Sequence, residues 1–325
     1  MPVVSVIIPL HNKGPYVTET LESLQSQALA EWEAIVVENN SVDDGPTVVA
    51  EMAKMDCRIR LIIAPDHVCG PCGARNLGLE HAGGKWILFL DADDWIEADH
   101  LSILCEEGNR SSADVVAGGW KEFEEGNASV KVERNGPRIG ETAESVLERS
   151  LAAAPWAVHS AIVSRAWLKH EIRWPDEMER LPSEDSVFWF RVLQGCRLAV
   201  TASKCAMYRK ETMGHRDCYQ DVKTWTAAVL TVINLNQEWL GRIGKQPSQT
   251  QAAHVVRMLE HLGRQCFKIY ETQMAKRVMR EAELWLTRTS FWAPGLLLRR
   301  VMGVNVFNTI RIYLQLGKLK ETERD

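Results

Sequence analysis

The stretch that decides the fold is VCGPCGARNLGLEHAGGKWILFLDADDW, residues 68–95. It opens with Cys69-Gly70-Pro71-Cys72, the spacing of a redox dithiol. It closes with Asp91-Ala92-Asp93-Asp94 after an apolar run, the residue types of a metal and phosphate site. A reactive dithiol wants its first cysteine at a helix N-terminus, where the thiolate is stabilised. Paired carboxylates at the end of a buried strand can share a hard divalent cation and through it hold a diphosphate. Trp86 to Leu90 reads as that strand, and Ala74 to His81 as a short helix stopped by Gly83-Gly84. Aspartates also cap helices, so the flanking elements must decide.

Upstream, Val3 to Ile8 is a β-branched run ended by Pro9, the pattern of a strand buried on both faces. Val17, Leu21, Leu24 and Ala28 follow at helical spacing. Glu33 to Val37 is a second strand, ended by Glu38-Asn39-Asn40-Ser41. A helix is expected over Pro46–Met55 and a third strand over Ile59–Ile63. Downstream, Asp114 to Ala117 is a candidate fifth strand. Strand and helix alternate through short connections, which predicts an α/β fold: a mostly parallel sheet with helices on both faces. Ligands bind such sheets beyond the carboxyl ends of the strands. His11-Asn12, Glu38-Asn39, Cys69 to Arg75 and Asp91 to Asp94 all fall at such ends, so one site can collect them.

Residues 122–140 are charged and Gly-rich, a hairpin or loop. Beyond Tyr219 the strand signals vanish and three helices are expected, over Asp221–Trp239, Gln251–Thr287 and Gly295–Leu316. The 325 residues, 46% apolar and 25% charged, are ordinary for a globular protein. A net charge of -5 gives no basic field, so nucleic acid is not an expected partner. Met1 leads straight into a strand, with no basic, apolar leader, and no apolar run is long enough to span a bilayer. A cytoplasmic location is expected, and the eight cysteines are expected to be free thiols.

The motifs VSVIIPLHN, WEAIVVENNSVDD, GPCGARNLGLEHAGGKWILFLDADD and RLPSEDSVFWFRVL, in this order, resemble the inverting glycosyltransferases of family 2 with the GT-A fold. The resemblance covers roughly Val3 to Tyr208. It implies that Pro9, His11 and Asn12 line a nucleotide pocket, that Glu38 and Asn39 stand at its base edge, and that Arg75 contacts the nucleotide. It further implies Asp91 at the ribose or diphosphate and Asp93 as ligand of a divalent cofactor, Mn2+ or Mg2+. Two departures stand out. The second strand ends in Glu38-Asn39-Asn40-Ser41 where the family usually has Asp-Asp-Gly-Ser, and His11 replaces a common aromatic residue. An amide still donates and accepts, so Asn39 can meet a uracil edge with less charge assistance. A UDP-sugar is the first expectation for the donor. The resemblance also answers the opening question: the family has a Gly-rich loop where Cys69 to Gly73 stands, and a dithiol role falls away.

The acidic pair Glu184-Asp185 opens an apolar helix and on residues alone suits the helix dipole. The resemblance makes Asp185 the general base, with Glu184 beside the acceptor, a saccharide or a lipid-linked one; Trp156 either lines the acceptor pocket, stacking on a sugar face, or belongs to the core. His215, in a segment where related enzymes close on the diphosphate, is a candidate further metal contact. From Arg288 to Lys320 there are six Lys/Arg and no acidic residue, interleaved with apolar side chains. That composition suits an anionic membrane surface, at the inner face of the plasma membrane, or equally a packed helical subdomain with solvated basic residues. The expected organisation is a catalytic domain over 1–218 and a helical region over 219–325. A nucleotide-sugar pyrophosphorylase would want a Gly-rich, basic loop after the first strand, and PLHNKGPY is poor in glycine. A non-catalytic sugar-nucleotide-binding protein would have no need of Asp91, Asp93 and Asp185.

Overall fold

The structure is a computed structural model that describes residues 1–124, 127–168, 171–210 and 221–289, the side chains of 127–130 aside. The strands are β1 (Val4–Leu10), β2 (Trp32–Glu38), β3 (Ile59–Ile63), β4 (Trp86–Phe89), β5 (Trp95–Ile96), β6 (Val115–Ala117), β7 (Trp120–Glu124), β8 (Asn127–Arg134), β9 (Ala161–Ser164), β10 (Leu198–Val200) and β11 (Ala206–Lys210). The helices are α1 (Gly14–Gln25), α2 (Gly45–Met55), α3 (Gly70–His81), α4 (His100–Ser111), α5 (Ala143–Leu147), α6 (Glu184–Val192), α7 (Val222–Arg242), α8 (Gln249–Lys268) and α9 (Thr272–Leu286).

Seven strands form one sheet in the order β10-β6-β9-β4-β1-β2-β3. All its pairings are parallel except those of β9, which runs antiparallel between β4 and β6. The order reverses between β1 and β4, and a crevice opens at such a switch point beyond the strand ends. On one face Val4, Val6, Ile8 and Leu10 of β1 are buried with Val17, Leu21 and Leu24 of α1 and Leu101 and Leu104 of α4. On the other, α3 packs so closely that a Cβ at Gly78 would overlap Ile7. A second sheet, β5-β11-β7-β8, carries the hairpin expected within 122–140.

Several boundaries differ from expectation. β1 runs through Pro9 to Leu10. Ile7 turns its carbonyl to β4, accepting from the Leu90 amide at 3.0 Å, so by alternation Pro9 turns its missing N–H the same way, where β4 has already ended. Ala28 lies outside the apolar stripe, past the end of α1, and is exposed. Gln27 is buried in that region instead, donating to the carbonyls of Ser23 and Glu97 and accepting from the Leu101 amide. α3 begins four residues earlier than expected, with Cys69 as its N-cap.

The chain divides into two compact units, residues 1–147 with 154–216, and residues 148–153 with 217–325. In the second unit, Asp221 caps α7 through the amides of Lys223 and Thr224, and Ser248 and Gln251 form a capping box on α8. The single helix expected over 251–287 is two, because Tyr270 takes φ +62° and turns the chain between α8 and α9. Val255, Val256, Leu259 and Leu262 of α8 are buried, as are Val278 and Ala282 of α9. The helix expected over 295–316 lies outside the described residues. No helix among the described residues is long and apolar enough to cross a membrane.

Candidate active site

The four sequence clusters do meet at the carboxyl ends of β1, β2 and β4. At the end of β1, the exposed His11 ring donates from Nδ1 to the Asn39 carbonyl at 2.7 Å, and Asn12 accepts from the Val42 amide at 2.8 Å. Asn12 and Asn40 both take left-handed backbone conformations, φ +52° and +60°, which asparagine tolerates better than most residues. At the end of β2, Glu38 accepts from the Ser41 amide at 2.5 Å and closes the turn. Asn39 is buried; its Nδ2 donates to the Gly70 carbonyl at 2.8 Å and its Oδ1 accepts from Asn40 at 3.2 Å. The amide therefore ties the β2 turn to the start of α3.

Cys69 is exposed, Cys72 is wholly buried, and both are free thiols, as are the other described cysteines. Gly70 between them sits at φ +62°, where a Cβ would come within 2.5 Å of the Glu179 side chain. Glycine is required there on both counts.

Arg75 is the centre of the site. It is 3% exposed and donates from Nη2 to Asp91 Oδ1 at 2.7 Å and from Nη1 to Glu184 Oε1 at 2.9 Å. Its guanidinium lies 4.2 Å from the centre of the Trp174 ring, which stacks in turn on Phe188 of α6 at 4.3 Å. Burial opposes its charge, but Asp91 and Glu184 outweigh burial and raise its pKa. For Asp91 the same contest between burial and Arg75 ends with the pKa lowered, so the carboxylate is ionised.

Asp93 is 8% exposed, and its Oδ2 lies 2.6 Å from Lys13 Nζ. Asp94 is buried beneath it. Burial first, then the charges of Asp93 and Asp91, drive its pKa well up. Its Oδ1 accepts from the Arg209 amide at 2.7 Å, and its Oδ2 lies 3.3 Å from Nδ1 of the buried His159. Burial lowers His159 to about 4, so the imidazole is neutral and this contact is no ion pair at neutral pH. Arg209 of β11 holds the turn from the other side: its Nε donates to the Asp93 carbonyl at 2.9 Å, and its guanidinium pairs with Glu19.

At the start of α6, Ser183 takes φ +68° and leaves Glu184 and Asp185 in the first turn. Asp185 accepts from the Ser186 amide at 2.9 Å. Burial, and then the neighbouring Glu184 carboxylate, push its pKa up to about 7 against the pull of Arg75. Trp156 is 2% exposed and packs edge-on against Trp189 at 5.1 Å, so its place is in the core. His215 lies outside the described residues, as do residues 290–320 of the basic segment.

Among the described residues no three or more His, Cys, Asp or Glu side chains gather as a metal cage. A hard ion that keeps its waters and takes substrate phosphates needs only one or two protein carboxylates. Asp93 fits that smaller requirement: its oxygens are hard donors at a strand end, and they already face a cation, the Lys13 ammonium.

Lys13, Asp94 and Arg209 belong to this site and were not singled out from the sequence. Asp94 stands inside a quoted motif and Lys13 directly after one, but pattern gives no sign of which carboxylate faces the lysine and which is buried. Arg209 follows the last residue of the resemblance, and a lone arginine at a strand end carries no signal.

An open α/β sheet with carboxylates and cations gathered at its switch point defines the class: the α/β folds whose ligands bind beyond the strand ends. The model of glycosyl transferase family 2 matches residues 5–171, half of the chain, and the protein belongs to that family. It is 38% identical over 113 residues to the putative glycosyltransferase EpsH of Bacillus subtilis, covering 35% of this chain and 31% of that protein. It is 36% identical over 115 residues to the GalNAc(5)-diNAcBac-PP-undecaprenol beta-1,3-glucosyltransferase of Campylobacter jejuni, covering 35% and 37%. These matches span about a third of each relative's length. Among solved structures, Staphylococcus aureus TarS 1–349 in complex with UDP-GlcNAc matches 98% of this chain and 92% of its own, with TM-score 0.66 and 21% identity. The mannosyltransferase PcManGT of Pyrobaculum calidifontis, in complex with GDP-Man and Mn2+, matches 98% and 86%, with TM-score 0.55 and 18% identity. The GT-A-type α/β fold is thereby shown.

Proposed function

We propose that this protein transfers a sugar from a nucleotide-sugar donor, a UDP-sugar first, to a saccharide or lipid-linked acceptor, with inversion at the anomeric carbon. Residues 1–218 carry donor binding and catalysis in this reading, and 219–325 form a helical extension. The observation that carries it is the Arg75 bridge, which joins Asp91 at the switch point to Glu184, the neighbour of Asp185, in one buried network.

The acceptor hydroxyl attacks the anomeric carbon as the bond to the diphosphate breaks. That hydroxyl is a poor nucleophile at neutral pH and needs a base within hydrogen-bond reach. Asp185, titrating near 7, is basic enough to take its proton and still substantially ionised at neutrality. No covalent glycosyl-enzyme is required, so one base suffices. Pro9, His11, Asn12, Glu38 and Asn39 shape the nucleotide side of the crevice, and Asp91 faces the ribose or diphosphate with its charge fixed by Arg75. Asp93 would hold a divalent ion, with His215 a candidate second ligand; when bound, that ion neutralises charge on the leaving diphosphate. Arg75 is enclosed by two carboxylates and Trp174, so its contribution is to position them.

The names of the relatives support a polysaccharide or lipid-linked setting, and the basic, acid-free composition of 288–320 supports a peripheral place on the inner face of a membrane. Flotation with anionic and neutral vesicles at low and high salt tests the latter: binding to anionic vesicles alone, lost in salt, is expected.

The main test is product release. Incubation with UDP-GlcNAc, UDP-glucose and GDP-mannose, with Mn2+ and an acceptor extract, is expected to release one nucleoside diphosphate, and Asp185→Asn to abolish that release. No release from any donor by the unaltered protein, or full release by the Asn variant, would overturn the assignment.

A further inference from the structure

The second unit carries an exposed apolar tip. Where α8 turns into α9, Phe267, Ile269 and Tyr270 are 48%, 44% and 89% exposed. The turn is a Schellman motif: the Tyr270 amide donates to the Phe267 carbonyl at 3.1 Å, and the Glu271 amide to the Cys266 carbonyl at 2.9 Å. Tyr270 is the left-handed residue of that motif, at φ +62°, a place usually given to glycine or asparagine. A bulky side chain strains the backbone there. Packing of the ring does not offset that strain, because the ring stands almost wholly in solvent. Folding alone favours a glycine at this position and polar side chains beside it.

The charge around the tip has one sign. Between residues 251 and 288 the exposed charged side chains are Arg257, Lys268, Lys276, Arg277, Arg280 and Arg288, all of them basic. The carboxylates of the same stretch are withdrawn. Glu260 is buried, Glu281 and Glu283 are half-buried, and Glu271 is held by Lys223 at 2.6 Å. A helix rises about 1.5 Å per residue, so Lys276 and Arg277 stand roughly 6–8 Å along α9 from its first residue, and Arg280 roughly 12 Å. Apolar groups at a bilayer surface sink about 5–10 Å into the boundary between headgroups and acyl chains. With the tip inserted, those cations come level with the headgroups. A protein groove could also take three apolar side chains, but basic residues on both helices behind them favour a surface of continuous negative charge.

We propose that the turn between α8 and α9 is a membrane-docking tip: Phe267, Ile269 and Tyr270 enter the interface of an anionic lipid bilayer while Lys268, Lys276, Arg277 and Arg280 meet its headgroups. This rests on the peripheral-membrane reading above and deepens it with a contact outside the 288–320 segment.

Flotation tests it, with phosphatidylcholine vesicles and with vesicles that also contain phosphatidylglycerol. Phe267→Gln/Ile269→Gln/Tyr270→Asn removes the apolar tip, and asparagine tolerates the left-handed turn. This variant is expected to bind the anionic vesicles at least roughly tenfold more weakly than the unaltered protein. Lys276→Gln/Arg277→Gln/Arg280→Gln is expected to weaken the same binding roughly fivefold for each charge removed. Thermal unfolding checks that both variants are folded; if the tip variant is not, Tyr270→Asn alone serves, with a smaller loss in the same direction. Undiminished anionic-vesicle binding by the folded tip variant overturns the proposal and leaves the 288–320 reading standing. No vesicle binding by the unaltered protein overturns both. A dimer in light scattering that the tip variant dissociates, with vesicle binding unchanged, would assign the tip to a second copy of the chain and overturn the proposal as well.

Discussion

Arg75 and Glu184 stand 109 residues apart in the chain, and their side chains meet at 2.9 Å. This contact joins α3, whose first residues border the β2 turn, to α6, whose first turn carries Asp185. Removing the guanidinium would take from Asp91 and Glu184 the counter-charge they share. Breaking a buried pair from one side costs about 3–5 kcal/mol. Arg75→Met is therefore expected to lose stability on that scale in urea unfolding. Arg75 also holds the pKa of Asp185 down, so its loss moves that pKa further up. The rising limb of the rate–pH profile is expected to shift to higher pH in any variant that still turns over. A stable Arg75→Met with an unshifted profile would separate Arg75 from the base.

Asp185→Asn removes the proton acceptor and leaves the Ser186 amide contact available to the amide oxygen. Loss of general-base catalysis is worth roughly 10²–10⁴ in rate. Nucleotide binding, measured by titration with UDP, is expected to stay at its original value, since Asp185 faces the acceptor side in the proposed mechanism. In the unaltered enzyme the rate is expected to rise as pH passes through about 7, where this carboxyl ionises. A rate flat from pH 5.5 to 8.5 would count against Asp185 as the base.

His100 offers a stability test away from the chemistry. It is 2% exposed, and its Nε2 donates to the His159 carbonyl at 2.9 Å. Burial, with the neighbouring His159, lowers its pKa from 6.5 to about 4. The unfolded chain thus binds a proton in this window that the folded chain refuses. The stability that His100 contributes as a neutral residue is present above pH 6.5 and is lost as pH falls toward 4. Relative to the unaltered protein, His100→Gln is expected to lose less stability between pH 7 and pH 5 in urea titrations. Parallel losses in the two proteins would show that His100 is not buried neutral.

Gly70→Ala probes the loop that looked like a redox motif. An alanine there meets a backbone held at φ +62° and the Glu179 side chain at 2.5 Å. The left-handed conformation alone costs roughly 1–2 kcal/mol for a residue with a Cβ. Since the Gly70 carbonyl accepts from Asn39, displacement of this residue is also expected to weaken UDP binding. Thermal unfolding with and without UDP reads both effects. A variant as stable as the original, with normal UDP binding, would show the loop tolerates a side chain.

The α/β class and the four site clusters were legible because apolar periodicity and strand-end polar residues are local signals. β1, β2, β3, β4 and β6 stand within a few residues of where the pattern puts them. What was not legible depends on partners distant in sequence. β9 is a four-residue strand that reads like any short apolar run, and its antiparallel place between β4 and β6 is a fact of tertiary pairing. Gln27 carries no apolar signal, yet four backbone partners bring it inside, while Ala28 beside it is exposed. Asp91, Asp93 and Asp94 look alike in the sequence. Yet the arginine lies on one, the lysine on another, and burial drives the pKa of the third well up.

Pro9 has a consequence for the way the crevice stays open. Two neighbouring parallel strands tend to zip, each new hydrogen bond bringing the next pair of residues into register. Past the bond from the Leu90 amide to Ile7, the next rung between β1 and β4 would need an amide from position 9, and a proline has none to give. The zipper therefore stops there by covalent structure, and the chain carrying Asp91 to Asp94 is released to turn away from the sheet. A Pro9→Val chain could add that rung, and would draw the acidic turn shut against β1.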